Sequence, residues 1–460
     1  MSKSLKSLFV SLAALYLALG SIEAASAAER CAGLLNEDLC YGANPNCPTV
    51  TGAGPADSSW PMFQRDAQHT GKSSLQGPAC GEDLWVGKLS GKILSQMATG
   101  PANGAGLGTL FVAAGKYPVC AMDPVDGTIL WCDTTDTGKL PDYSSPAVSA
   151  DDIVYIGTRD NDLWAIEIPQ SSGAVPAVDW RKKVCSDGDV TTQPTIRKDG
   201  VVYMGSDSLG AGSLFAMCPG SAEQVKWCRN PLGGGMTSQG LMGGGLKNVS
   251  PTLNADESRV YVTMNGAFVA SYDASTGADR WRLQLDSQRN NMRGSNYTPV
   301  YNSSNGRIYV GFDDGIWEIT EGTDPSSGAP VATQKLLFDT RPDNRSLFAP
   351  PALDAATGTL YFGATRGRNS TFYAIGTDGR LKWKKAVVNG RFRNLPPVVD
   401  ASGHVYVAIS NRLYAFEGAN GHEVWTRDFE SPIWAAPIID DGRLYLGTIV
   451  GNVHAVGCAP

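Results

Sequence analysis

The stretch at 144–167, SSPAVSADDIVYIGTRDNDLWAIE, decides the fold. It opens with a short run around Pro146, turns at Ala150-Asp151-Asp152, and continues into the β-branched and aromatic run 153–157. A polar turn at 158–162 leads to a third apolar run at 163–166. β-Branched and aromatic residues favour a pleated, half-buried surface, and Asp, Asn and Gly punctuate it with turns. The stretch therefore predicts an antiparallel meander of short strands.

The chain repeats this unit. An aromatic anchor among apolar residues recurs as Phe111, Tyr155, Tyr203, Tyr261, Tyr309, Tyr361, Tyr406 and Tyr445, at spacings of 39 to 58 residues. Ahead of each lies a proline: Pro101, Pro146, Pro194, Pro251, Pro299, Pro351, Pro397 and Pro437. A unit of about 40–50 residues with four short strands is how a β-propeller blade looks in sequence. Eight anchors predict an all-β, eight-bladed β-propeller over 81–460.

A second element follows the third strand of the unit. It reads AMDPVDGTILW at 121–131, SYDASTGADRW at 271–281, AIGTDGRLKW at 374–383 and AFEGANGHEVW at 415–425. The acidic-Gly turn closes a hairpin, and the Trp falls on the outermost strand, able to pack flat against a neighbouring blade. Gapped copies place Trp180 and Trp227 likewise, and the fifth unit offers Leu336 or Phe338 instead. The last unit ends at Val453-His454-Ala455-Val456 without an outer strand, while Glu82-Asp83-Leu84-Trp85 supplies a spare one. That strand is expected to close the ring, pairing the edge that the seam would leave open.

These tryptophan-docking segments, with the string WPMFQRDAQHTGKS at 60–73, resemble the pyrroloquinoline quinone (PQQ)-like repeat propellers. The resemblance covers roughly 60–456. It implies the fold more than an activity, because the superfamily holds both dehydrogenases and catalytically silent scaffolds. One such scaffold is the propeller of the bacterial outer-membrane assembly machinery, a lipoprotein.

Residues 1–27 read as a signal peptide: Lys3 and Lys6, an apolar core from Leu8 to Gly20, and the small-residue site Ala25-Ser26-Ala27. The core is too short to span a bilayer, and Ala28-Glu29-Arg30 before Cys31 is not a lipoprotein context. A periplasmic or secreted protein without a membrane anchor is expected. Residues 28–80 form a Cys-containing N-terminal extension. All ten cysteines follow the cut, so disulfides are expected. Cys120/Cys132 and Cys218/Cys228 each bracket a docking hairpin, and Cys80/Cys458 flank the seam; the pairing of Cys31, Cys40, Cys47 and Cys185 stays open. A net charge of −7 argues against nucleic acid as a partner. The ring is expected to be monomeric.

In a propeller the proline-bearing strand is innermost, and the residues before it face the mouth of the central channel. Arg293, Arg345, Arg391 and Arg393 fall there, with Asn394 and the aromatic residues Phe392 and Trp434. Guanidinium groups recognise carboxylates bidentately, and a funnel focuses their field. This pattern points to binding or scaffolding of a protein partner or an anionic small molecule through an arginine-lined mouth. The rival is a PQQ- and calcium-dependent dehydrogenase acting on an alcohol or polymer hydroxyl. The resemblance then implies Asp142 or Asp189 as catalytic base, Asn248 or Asn296 as oxygen donor to calcium, and the arginines with Asn394 and Trp434 around the quinone. Against it, the chain has no adjacent cysteine pair and no cytochrome segment. A third class, stacking of sugars on Tyr297, Phe348 and Trp434, also fits an aromatic mouth. His69, His404, His422 and His454 are scattered and suggest no triad. The Gly-rich run 233–245 has no phosphate-loop context and reads as a lid near the mouth.

Overall fold

The computed structural model describes residues 47, 50 and 52–459, except 103–107, 135–142, 159–161, 170–175, 184–189, 191, 207–212, 220–224, 230–248, 265, 288–296, 348 and 394. The expected signal peptide and glycine-rich lid lie outside these residues.

Eight antiparallel sheets follow one another along the chain, and the described residues contain no α-helix. The first runs through Ala98–Ala102, Gly108–Ala114, Tyr117–Met122 and Ile129–Cys132. The second runs through Ala147–Val148, Ile153–Gly157, Asp162–Glu167 and Ala177–Lys183. The later sheets begin at Thr195–Ile196, Thr252–Leu253, Val300–Asn302, Ser346–Leu347 with Ala352–Asp354, Val398–Val399 and Ile433–Asp440. The first strands of blades 1 and 2 touch, as do those of successive blades from 4 to 8, so the first strands form the channel wall and each sheet is one blade of an eight-bladed propeller. Blade 8 is completed by Glu82–Lys88, which pairs antiparallel with Asn452–Gly457; the Cys80–Cys458 disulfide lies beside that seam.

Register explains the repeat. The residue after each proline faces the aromatic anchor: Ala147 with Tyr155, Thr252 with Tyr261, Val398 with Tyr406, Ile438 with Tyr445. In blade 1 the residue opposite Phe111 is Ala98, so Met97 holds the proline's place and Pro101 lies further along. The anchor in turn faces a small residue, and that residue faces the outer-strand tryptophan. Tyr203, Ala216 and Trp227 form one such row; Tyr361, Ala374 and Trp383 another; Tyr445, Ala455 and Trp85 the seam's. In blade 5 the row is Tyr309, Glu318 and Lys335, so the tryptophan's counterpart is Lys335 rather than Leu336 or Phe338. Phe338 packs instead on Phe362 and Tyr373 of the next blade.

The tyrosine and tryptophan of a row share one acceptor on the following blade. Tyr203 and Trp227 both donate to Ala274 O at 2.8 and 3.0 Å, and Tyr361 and Trp383 to Gly418 O at 3.2 and 2.8 Å. At the seam Tyr445 and Trp85 converge on Pro124 O, and Tyr406 and Trp425 on Pro78 O. The indole lies flat on the turn glycine. A Cβ on Gly277 or Gly421 would sit 2.6 Å from the Trp227 or Trp383 ring, and both glycines have positive φ, so no other residue serves. Between blades 4 and 5 a carboxylate replaces the carbonyl: Trp281 donates to Glu321 Oε1 at 2.7 Å and Tyr261 to Oε2 at 2.8 Å, with Arg259 also on Oε2.

The remaining disulfides correct one expectation. Cys120–Cys132 bridges a docking hairpin, but Cys218 pairs with Cys47, not Cys228, and so ties the N-terminal segment to blade 3. Cys228 is itself disulfide-bonded, and no described cysteine is free.

Candidate functional site at the channel mouth

An innermost strand exposes a row of backbone donors to the axis, and unpaired buried N–H groups are costly. Residues 60–73 answer that demand from inside the ring. The second residue of the inner strand donates its N–H to this segment in six blades: Thr99 to Trp60 O, Val148 to Pro61 O, Leu253 to Ala67 O, Tyr301 to Gln68 O, Leu353 to Thr70 O and Val399 to Gly71 O. Blade 3 is reached by His69, whose Nε2 lies 3.1 Å from Thr195 Oγ1 and from Pro251 O, with Nδ1 2.9 Å from Phe63 O. Blade 8 is reached by Gln96, which donates to Pro437 O at 2.9 Å and accepts from Gln64 N at 2.8 Å. Trp60, Gln64 and His69 are wholly buried. The segment is a plug seated among the inner strands.

Beyond the plug the channel opens into a cavity of about 240 Å³ with Phe63 among its lining residues. Counting back from the position of the repeated proline puts the other lining residues at corresponding places in successive blades. Gln96, Ser145, Gln193 and Pro396 stand one residue before it, and Ser95 and Leu395 two. Leu94, Tyr143 and Trp434 stand three before, Arg393 four and Arg391 six. The cavity lining thus combines serine and glutamine residues, the aromatic residues Phe63, Tyr143 and Trp434, and two arginines.

The Arg393 guanidinium lies over the Trp434 ring, 4.4 Å from its centroid, a cation–π contact. Burial first, then the like charge of Arg391, lowers its pKa. It makes no ion pair with any described residue. Gln193 is held in place, donating to Tyr143 O and accepting from Ser250 Oγ. Ser95 Oγ, Ser145 Oγ and Trp434 Nε1 are buried and have no hydrogen-bond partner among the described residues. No carboxylate lines the cavity among the described residues, and none of their acidic, His or Cys groups is clustered to hold a metal ion.

Of the sequence-derived site residues, Arg391, Arg393 and Trp434 come together here. Phe392 also borders the cavity, yet its ring is only 2% exposed and packs on Phe372 and beneath Gly363. Arg345 stands apart: it donates to Asn369 O at 2.7 Å and borders a separate shallow concavity with Asp343 and Lys384. Asp142, Asp189, Asn248, Arg293, Asn296 and Asn394 lie outside the described residues. Sequence reasoning missed Ser95 and Gln96 because Pro101 misaligned blade 1; placing Met97 at the repeat position would have put 94–96 at the mouth. It missed Ser145 because the proline beside it drew attention as a marker of strand position only.

Comparison with known structures places the architecture. Quinohemoprotein alcohol dehydrogenase ADHIIG from Pseudomonas putida HK5 superposes with a TM-score of 0.63 at 13% identity, over 88% of this chain and 81% of that one. The quinohemoprotein alcohol dehydrogenase from Comamonas testosteroni gives 0.62 at 16%, over 95% and 85%. BamB from Moraxella catarrhalis gives 0.54 at 15%, over 81% and 98%. At such identities the likeness shows a shared fold and no shared chemistry. No curated protein matches the chain in sequence. The family model described as outer membrane protein assembly factor BamB matches residues 75–246, 241–395 and 368–456. The match spans nearly all of 75–456, and the chain belongs to that PQQ-like propeller family.

Proposed function

We propose that this propeller is a binding or scaffold module that receives an anionic group in its channel mouth, and that it works outside the cytoplasm. The observation that carries this reading is the lining: Arg391 and Arg393 border a cavity that no described carboxylate lines, and Arg393 makes no ion pair with a described residue. The disulfides fit an oxidising compartment.

The rival reading, a PQQ- and calcium-dependent dehydrogenase, draws on the two dehydrogenase likenesses, which concern fold alone. The guanidiniums suit the carboxylates of PQQ. The described lining supplies neither calcium ligands nor a base, however, and the Trp434 face that would stack a ring is covered by Arg393. The cavity is also below the roughly 300–1,000 Å³ of sites for drug-sized ligands. The described residues do not fit that group, and no catalytic step is derived through it.

Titration of the mature protein with glutarate, and separately with PQQ in the presence and absence of Ca²⁺, tests the choice. Saturable glutarate binding that Arg393→Ala weakens by ~10-fold or more supports the anion site, since a hydrogen bond to a charged group is worth about 1.5–3 kcal/mol. Calcium-dependent PQQ binding with dye reduction by an alcohol would overturn it.

A further inference from the structure

We propose that the mouth continues outward over blade 6 as a docking surface for an acidic, extended polypeptide segment of a partner protein, one carboxylate of which enters the cavity. The inference rests on the anion-binding reading and names the partner's chemistry.

Charge is segregated along blade 6. Within 344–399 the only acidic residues are Asp354 and Asp378. Asp354 pairs with Thr359 at the start of the strand Thr359–Arg366 and lies by Lys72, and Asp378 sits with Arg380 in the turn before Leu381–Val387. Arg366 ends that eight-residue strand, away from both acids. It and Arg368 flank Gly367 in the turn to Asn369–Gly376, all three exposed. Neither arginine makes a hydrogen bond or ion pair with a described residue.

The loop into blade 7 is bound onto this turn. Phe392 N donates to Thr365 Oγ1 and Ser370 Oγ, both at 3.1 Å, and Ser370 Oγ donates to Gly390 O at 2.7 Å. Phe392 is buried, and Arg391 and Arg393 stay exposed on either side of it. Arg345 reaches the same turn through Asn369 O at 2.7 Å. Three segments of chain thus hold five arginines together, Arg391 and Arg393 at the cavity and Arg345, Arg366 and Arg368 beyond it. Asp343, which shares a shallow concavity with Arg345, already accepts from Tyr373 at 2.7 Å and from Lys384 at 3.0 Å.

A cavity of about 240 Å³ takes one small acidic group, so arginines beyond it match further negative charges on the same ligand. Guanidinium forks pair with carboxylates bidentately. Val388, in the same loop, is 73% exposed, the highest value among the exposed large apolar side chains described. A polypeptide brings apolar side chains between its carboxylates, whereas a polysaccharide or a phosphodiester chain does not. An anionic membrane would meet a broad face of a molecule whose net charge is −7. A segment meets this sector alone, because screening confines each charge to about 8 Å at physiological salt.

The test is calorimetric titration of the mature protein with an octapeptide of alternating acidic and valine residues. Its counterpart with asparagine and glutamine for the acids, glutarate, an oligogalacturonide and vesicles containing phosphatidylglycerol are titrated beside it. The acidic peptide is expected to bind at least ~10-fold more tightly than glutarate, because each further exposed ion pair adds up to a few-fold. The uncharged counterpart should not bind. Arg366→Ala with Arg368→Ala should bring the peptide down to about the affinity of glutarate, whose own binding then reports that the variant is folded. Arg393→Ala should weaken both ligands, and Val388→Ser should weaken the peptide alone. An acidic peptide bound no more tightly than glutarate, or indifferent to the loss of Arg366 and Arg368, overturns the docking surface and leaves the anion site standing. Tighter capture of the oligogalacturonide or of the vesicles overturns the polypeptide partner in favour of a polysaccharide or a lipid surface. A peptide that needs Arg366 and Arg368 but not Arg393 overturns the carboxylate in the cavity. No binding by any acidic ligand overturns both readings.

Discussion

His69 shows how a titratable residue can be structural. Its ring touches three backbone or hydroxyl oxygens from the plug and blades 3 and 4, and burial lowers its pKa despite those contacts. The sign follows from linkage. The unfolded chain takes up a proton near the ordinary histidine value of about 6.5, before the folded chain does, so stability declines as pH falls below that value. Thermal unfolding followed from about pH 7.5 to pH 5 should show that decline, and His69→Gln should make it shallower; an unchanged slope would remove His69 from the account. At the mouth, Arg393→Lys keeps a charge but loses the planar stack on Trp434. It is expected to bind anions less tightly than the parent and more tightly than Arg393→Ala, with a shifted indole emission in the free protein.

At the scale of the element, the docking row is the unit of design, and its acceptor sets its strength. Trp227→Phe keeps the ring on Gly277 and removes one bond to Ala274 O, which still accepts from Tyr203, so a cost near 1 kcal/mol is expected. Trp281→Phe strands an oxygen of the Glu321 carboxylate, and hydrogen bonds to charged groups are worth about 1.5–3 kcal/mol. The second variant should therefore unfold at the lower urea concentration; the reverse order would mean that Glu321 contributes no more than a carbonyl. The rows also show where the sequence was legible. Aromatic anchors, turn glycines and tryptophans each answer a local steric demand, so eight blades could be read without a structure. Met97 in the proline's place and Lys335 in the tryptophan's were hidden, because position there is defined by cross-strand pairing and not by residue type. The cavity was half legible for the same reason: arginines before an inner strand announce themselves by charge, while Ser95 and Gln96 are placed there only by the pairing of Ala98 with Phe111 in blade 1.

For the whole molecule, closure is the common problem. The Cys80–Cys458 bridge joins residues 378 apart in sequence, beside the strand pair that completes blade 8. A crosslink of that span mainly restricts the unfolded chain, and removing one typically costs about 2–4 kcal/mol. Cys80→Ser with Cys458→Ser should lower the unfolding midpoint and leave glutarate affinity at the mouth unchanged; a simultaneous loss of affinity would show that the seam shapes the cavity. Arg427 to Asp83, and Asp83 to His454 at 3.1 Å, add polar contacts across the same junction.

The plug also has a meaning in time. Residues 60–73 precede in the chain every inner strand they hold, so they are delivered first and their partners follow. Their carbonyls wait for Leu253, Tyr301, Leu353 and Val399 in turn, Pro78 waits for Tyr406 and Trp425, and Cys80 waits for Cys458. A chain released one blade short would therefore carry an unprotected beginning, open to proteases at the end farthest from the defect. Completion of blade 8 is registered at 60–80, and cleavage there would serve as an assay of whether the ring was ever finished.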